Sequence, residues 1–319
     1  MKKALLIILC ATAFLTKMSA QDEAIFGHYL VNPVLINPAF SGTAGTYQIF
    51  GHLRNQWTGF PGQPKTYALS FNAPLADKVG LGAMLLNENF GLVDRLRGQL
   101  SYAYHYDNAK RGLKSGFGFS TEFHRTKLNA SLTQDPFYES GDRVTEANMK
   151  NVSFFDATAG AYLILNDKAT FSLALPNLIR ARLGVISNDS VQKEKTFLKQ
   201  FIFSGGYKIV MENMTFEPSL VARKVYQAPF EVDLNMVGHF LDDKLFLGIS
   251  MRPGSSGNIG LMVGTKQDFF QLYYSYNSSL AEVKTYNRQA HEVTIGLEFA
   301  RKQSQTQSPT EKKKKRYKN

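Results

Sequence analysis

The sequence is short of three things. Past its first twenty residues it has no apolar run near the roughly 18 residues a membrane helix needs, which excludes bilayer-spanning helices. It has one cysteine, Cys10, and this lies inside the apolar leader; with the leader removed, neither a disulfide framework nor a cysteine-ligated metal is available. The body of the chain also has almost no net charge. Of the formal +11 over 319 residues, Lys2, Lys3 and Lys17 sit in the leader, and residues 301–319 hold eight Lys or Arg against one Glu. That leaves +1 for residues 21–300. The basicity belongs to a tail, which excludes a nucleic-acid-binding domain.

Two further absences narrow the chemistry. The six histidines, His28, His52, His105, His124, His239 and His291, have no metal-ligand spacing. No glycine loop stands before a helix to cradle a phosphate. No cofactor is implied.

What the chain does have is alternation. From Arg95 to Tyr106, the residues Leu96, Gly98, Leu100, Tyr102, Tyr104 and Tyr106 share one parity, and Arg95, Arg97, Gln99, Ser101 and His105 lie on the other. After the connection 107–112, Leu113, Phe117, Phe119 and Phe123 face one way, while Lys114, Ser120, Glu122 and His124 face the other. Successive strand side chains point to opposite faces, so this is a hairpin with one apolar surface. Each run exceeds ten residues, and a tilted membrane strand needs about 9 to 11. The polar parity suits a wet barrel interior better than a packed core.

The pattern recurs. Fourteen strands are expected, at 46–54, 65–73, 79–87, 95–106, 113–126, 154–165, 169–175, 199–210, 214–225, 229–240, 244–252, 258–266, 269–277 and 290–300. Their connections alternate between short turns and mostly longer loops. The expectation is an all-β transmembrane outer-membrane β-barrel of about 14 antiparallel strands, with short periplasmic turns, longer extracellular loops and both termini periplasmic. Closure follows from physics, because an unpaired sheet edge in hydrocarbon costs several kcal/mol per exposed group. Pro218 fits badly inside the ninth strand and marks either a bulge or a misplaced strand. Aromatics near strand ends, Tyr102, Tyr104 and Tyr106 or Phe269, Phe270, Tyr273, Tyr274 and Tyr276, suit the lipid boundary.

The remaining segments divide as follows. Residues 1–20 read as an export signal, with Lys2 and Lys3, an apolar core from Ala4 to Leu15, and the small pair Ser19 and Ala20 at the exit. A lipoprotein reading is disfavoured because Leu9 precedes Cys10. Residues 21–45 do not alternate and contain Pro33 and Pro38, yet they are apolar. They are expected to pack in or under the barrel as a plug at its periplasmic mouth. Residues 46–300 are the barrel and 301–319 a basic, disordered periplasmic tail. In that tail Lys312, Lys313, Lys314, Lys315 and Arg316 are candidates for contact with anionic lipid or a partner.

A hydrolytic set can be drawn from Ser120, Glu122 and His124 with Ser101 and His105 beside them. A nucleophile and base need hydrogen-bond contact, and residues two apart on one strand face sit roughly 6 to 7 Å apart at backbone level. Lining of a wet lumen explains the same residues.

The run Asn32 to Gly42, the run Arg54 to Gly59 with Pro64 and Thr66, then Gly205-Gly206-Tyr207, Glu217-Pro218-Ser219-Leu220, Tyr273 to Asn277 and His291-Glu292-Val293 together resemble the PorP/SprF family of Bacteroidetes membrane proteins. The landmarks stand in the family's order across the mature chain; the basic tail departs from its pattern. The resemblance implies a non-enzymatic outer-membrane barrel of the type IX secretion system. Its implied partners are outer-membrane lipid, periplasmic or outer-membrane secretion components, and a secreted adhesin-like protein that it helps export or anchor, as in gliding motility. By that resemblance Asn37, Pro38, Ala39, Gly42, Gln56, Trp57 and Gly59 are structural signature residues with no chemistry attached. A channel or transporter for small or apolar solutes is the competing reading, and an outer-membrane lipid hydrolase a third.

Overall fold

A computed structural model of the protein describes residues 26–59, 61–129, 152–179, 181–183, 200–225, 230–254, 257–279 and 289–301. The leader and the lysines of the tail lie outside these residues. The strands are β1 (Thr46–Gln56), β2 (Lys65–Ala76), β3 (Val79–Phe90), β4 (Val93–Asn108), β5 (Leu113–Leu128), β6 (Val152–Leu165), β7 (Ala169–Leu175), β8 (Ala181–Leu183), β9 (Phe201–Tyr207), β10 (Ile209–Val210), β11 (Met214–Lys224), β12 (Glu231–Phe240), β13 (Leu245–Arg252), β14 (Asn258–Gln267), β15 (Phe270–Ser279) and β16 (Gln289–Ala300). All pair antiparallel with neighbours, and β1 pairs β16 from Thr46↔Ala300 to Gln56↔Ala290, so the sheet closes. The result is a closed 14-strand outer-membrane β-barrel.

Two staves of the barrel are each built from two pieces. β7 and β8 both pair with β6, but Ala159↔Leu175 and Phe155↔Ala181 leave three residues of β6 opposite five on the other side. The extra pair is absorbed as a bulge, where Leu178 N–H donates to Ala157 O and Ile179 N–H to Asp156 Oδ1. β9 and β10 are one stave interrupted at Lys208, whose N–H turns to Lys168 O. Pro218 explains the interruption. It lies in β11 beside this gap, facing Tyr207, offers no N–H, and leaves the register unshifted from Phe216↔Ile209 to Ser219↔Gly206. Pro218 therefore sits in a true strand and makes no bulge.

The hairpin of β4 and β5 shows why the wall stands in lipid. It pairs from Val93↔Leu128 to Asn108↔Leu113. Leu100 is 68% exposed and Phe117 70%, while Ser101, Ser120 and Glu122 are buried. Apolar side chains outside and polar ones inside invert the rule for water-soluble domains. Hydrocarbon outside and a polar interior account for it.

Short turns gather at one end of the barrel. The turn at Asn166-Asp167 has positive φ at both residues (53° and 55°), the geometry that matches a two-residue reversal to strand twist. Leu241, Asp242 and Asp243 are likewise left-handed. The other end carries the longer connections, with one departure from expectation. β3 and β4 are joined there by Gly91 and Leu92 alone, since the ladder continues through Glu88↔Arg95, an ion pair of 3.2 Å. Gly91, at φ 56°, then makes the turn.

One aromatic changes sides. Tyr273 points inward, is 2% exposed, and donates its hydroxyl to Gln271 Oε1 at 3.1 Å. Its neighbour Tyr274 faces out.

Candidate functional site

The lumen of the barrel is occupied by its own chain. Residues 27–40 form three 3₁₀ turns, Gly27–Leu30, Pro33–Leu35 and Pro38–Phe40, and then lead through Gly42 and Gly45 into β1. The sequence dictates the turns locally. Pro33 and Pro38 each open one, a position that needs no N–H and matches proline's fixed φ. The asparagine before each proline is held extended or nearly so.

The two Asn-Pro pairs then do different things. Asn37 Oδ1 accepts from Ala39 N–H at 2.9 Å, capping its turn. Its Nδ2 donates to the carbonyls of Ala161 (3.1 Å) and Leu173 (3.2 Å), so it is stitched into the wall at β6 and β7. Asn32 caps nothing; its Nδ2 donates to Ser70 Oγ at 3.1 Å and lies 3.3 Å from His52 Nε2. One asparagine thus engages β1 and β2, the other β6 and β7, which lie apart around the ring.

Near the short-turn end, the segment meets the wall backbone to backbone. A side chain at Gly118 would collide with the main chain of Ala39 and Pro38, and one at Gly80 with the Ser41 carbonyl and Gly42 Cα. His105 Nε2 donates to Ser41 O at 2.8 Å, and Gly42 N–H donates to Asn72 Oδ1 at 2.5 Å. Apolar contacts complete the seating. Val34, Ala39 and Phe40 pack on Tyr162, and Tyr29 and Ile36 on Ala174, Ile202, Val221 and Val225. Each such fully buried large side chain contributes about 1.5 to 3 kcal/mol. A cavity of about 60 Å³ remains beside Phe26, Val34, Arg97 and Glu122, large enough to admit water.

The upper end of the segment is held differently, by charge. Glu292 of β16, with no exposed surface, accepts from Gly27 N–H at 2.9 Å and His28 N–H at 2.8 Å. Arg54 Nη1 lies at 3.2 Å and His28 Nδ1 at 3.3 Å. The His28 and His52 Nδ1 atoms both reach Thr294 Oγ1, at 2.6 and 2.7 Å. Burial lowers the His28 pKa below its ordinary value; Glu292 works against this and Arg54 with it. One residue on, the Tyr29 hydroxyl accepts from Asn235 Nδ2 at 3.1 Å. Burial first, and Asp233 second, raise its pKa. Beyond Tyr29 a buried ion network crosses the wall, Arg223 to Glu231 (2.6 Å) and Asp233 (2.9 Å), and Arg252 to Asp233 (2.6 Å). The alternation of β16 pointed Glu292 into the lumen, but no sequence signal named what it holds.

The seven signature residues do not form one site. Asn37, Pro38, Ala39 and Gly42 come together against β3, β5 and β6. Gln56, Trp57 and Gly59 lie at the other end of β1, where the Trp57 ring meets Phe90 edge-on at 5.4 Å and Gly59, at φ 95°, bonds to Gln63.

The sequence model of the type IX secretion system membrane protein PorP/SprF matches residues 18–297. The chain belongs to that family. No curated protein matches it in sequence. Among solved structures, the outer membrane protein Omp33 of Acinetobacter baumannii is similar at 8% identity and a TM-score of 0.46, over 80% of this chain and 99% of its own. The CymD monoaromatic hydrocarbon channel is similar at 8% and 0.48, over 86% and 92%. A Pseudomonas aeruginosa FadL homologue gives 10% and 0.42, over 80% and 89%.

In this PorP/SprF barrel the residues of the drawn hydrolytic set are otherwise engaged. Glu122 is a shared acceptor: Ser120 Oγ (3.0 Å) and Thr158 Oγ1 (2.7 Å) donate to one oxygen, Arg97 (2.9 Å) and His124 Nε2 (3.1 Å) reach the other. His124 bonds the same carboxylate as Ser120, and its ring stacks on Phe154. His105 secures the lumenal segment. The Ser120 hydroxyl is bonded to a carboxylate that Thr158, Arg97 and His124 also share, and among the described residues it makes no bond to His124 or His105.

Proposed function

We propose that this barrel is a non-enzymatic outer-membrane partner of the type IX secretion system, assisting export or surface anchoring of a secreted adhesin-like protein. Membership of the PorP/SprF family carries the reading. The filled lumen supports it, because a barrel whose interior is packed with its own residues 26–42 suits a scaffold better than a free diffusion pore. In this reading residues 1–20 direct export and are removed. The short turns and the chain after Arg301 then face the periplasm, and Lys312 to Arg316 meet anionic lipid or a periplasmic secretion component. Co-purification from native membranes tests the reading: a large secreted protein should come down with the barrel. Retrieval of neither that cargo nor any secretion component would overturn it. Deleting 303–319 should weaken recovery of the periplasmic partner and leave the barrel folded.

A channel for small or apolar solutes is the second reading, favoured by the polar inner wall of Ser70, Gln99, Ser120 and Asn235. Steady solute uptake in liposome swelling by the intact protein would favour it.

A further inference from the structure

The two ends of the lumenal segment are fastened by different chemistry. Asn37 to Gly42 is held by main-chain packing on Gly80 and Gly118, by the bonds of Asn37 to Ala161 and Leu173, and by covalent continuity with β1. These contacts are uncharged and distributed over four strands. Gly27 and His28 are held by Glu292, which takes both backbone N–H groups and faces Arg54 and His28, and by Thr294, whose hydroxyl meets the His28 ring. Tyr29 adds a hydrogen bond to Asn235, with Asp233 beside it. Between the two ends lies Asn32, whose side chain bonds to side chains of β1 and β2.

We propose that Glu292 is the latch of a gated conduit. When it releases Gly27 and His28, the upper part of the segment swings away while Asn37 to Gly42 stays seated, and the polar lumen conducts ions and small polar solutes. The inference goes beyond the secretion role and does not depend on it. The wall behind the segment is already lined for water, by His52, Ser70, Gln99, Thr158 and Thr294. No covalent change is needed: Gly27, His28 and Asn32 exchange protein hydrogen bonds for water, while Tyr29, Leu30 and Val31 leave apolar packing on the wall, a cost that keeps the barrel closed for most of the time.

The first 3₁₀ turn supplies a clean second probe. Its sister turns begin with Pro33 and Pro38, whereas it begins with Gly27, whose N–H is one of the two that Glu292 receives. A Cβ on Gly27 would meet only the Glu292 carboxylate, at an ordinary 3.5 Å. Gly27→Pro therefore removes one latch bond and sets its ring Cδ where the N–H pointed at the carboxylate, so the contact cannot re-form, and no strand residue is altered.

The test is single-channel conductance of the purified full-length mature protein in planar bilayers, with heat-dependent gel migration as the check on folding. The unaltered barrel should be closed for most of the record. Glu292→Gln and Gly27→Pro should each raise opening frequency at least about tenfold. Glu122→Gln, which removes an equally buried lumenal carboxylate bonded to wall groups alone, should stay at the unaltered level. If Glu292→Gln does not fold, Gly27→Pro decides. A folded Gly27→Pro barrel as silent as the original overturns the proposal. So does an unaltered barrel that conducts steadily, or a Glu122→Gln barrel that opens as often as Glu292→Gln.

Discussion

Gly118 of β5 and Ala39 of the lumenal segment lie main chain against main chain, with no space for a side chain between them. Gly118→Ala should therefore destabilise the seated segment by about 1 to 3 kcal/mol, the usual cost of forcing a methyl into a filled site. Gly98→Ala is the matched control. A Cβ at Gly98 meets nothing, so its urea midpoint in detergent should not move.

Asn37 should matter more than Asn32. Asn37→Ala removes a cap and two donors to wall carbonyls and should cost about 1 to 3 kcal/mol, with protease access to residues 26–45 rising accordingly. Asn32→Ala loses two side-chain contacts and no cap, and should cost less in the same assay.

Acid should loosen the upper end of the segment through His28. Its folded pKa lies below the ordinary value of about 6.5. Between the two values the unfolded chain holds more protons than the folded one. The stability is intact above about pH 6.5 and is lost as the pH falls toward the depressed folded value. The geometry agrees, since His28 Nε2 is buried with no hydrogen-bond partner among the described residues, so a proton there would have nothing to bond. Thermal midpoints measured at pH 7.5, 6.0 and 5.0 should fall, and the fall should be shallower in His28→Gln.

The outer face can be tested by charge. Leu100→Arg places a cation on the lipid side of β4 and should lower folding into bilayers by about 2 to 4 kcal/mol if the position is near the midplane. Folding yield into vesicles reads this directly. Ser101→Ala, one residue on and facing inward, should fold at close to the normal yield.

Ser120→Ala should lose about 1 kcal/mol at most, for one hydrogen bond to Glu122. It should leave lipase and esterase readings at the background level of the unaltered protein. A reading above background that Ser120→Ala abolishes would restore the hydrolase.

The strands were legible because lipid and water act on every second residue, and that pull is written locally. β4 and β5 could be read from Leu96 to Tyr106 and Leu113 to Phe123 before any pairing was known. Local reading went astray where a distant partner decides. Glu88 and Arg95 carry β3 and β4 farther than their composition suggests. Tyr273 was placed at the lipid boundary beside Tyr274, although it turns inward onto Phe246. Ser120, Glu122 and His124 share a face, but only the fold shows Thr158 and Arg97 competing for the same carboxylate.

The sequence alone determined how many times the chain crosses, and for most strands which parity faces oil, since alternation and turn chemistry act over a few residues. It left open how the interior is filled. That was decided by the tertiary structure, which sets Glu292 against Gly27 across 265 positions of sequence and Gly118 against Ala39. Contacts between residues so far apart leave no period in either stretch, because each partner is specified only by the space and the hydrogen-bonding group that the other presents.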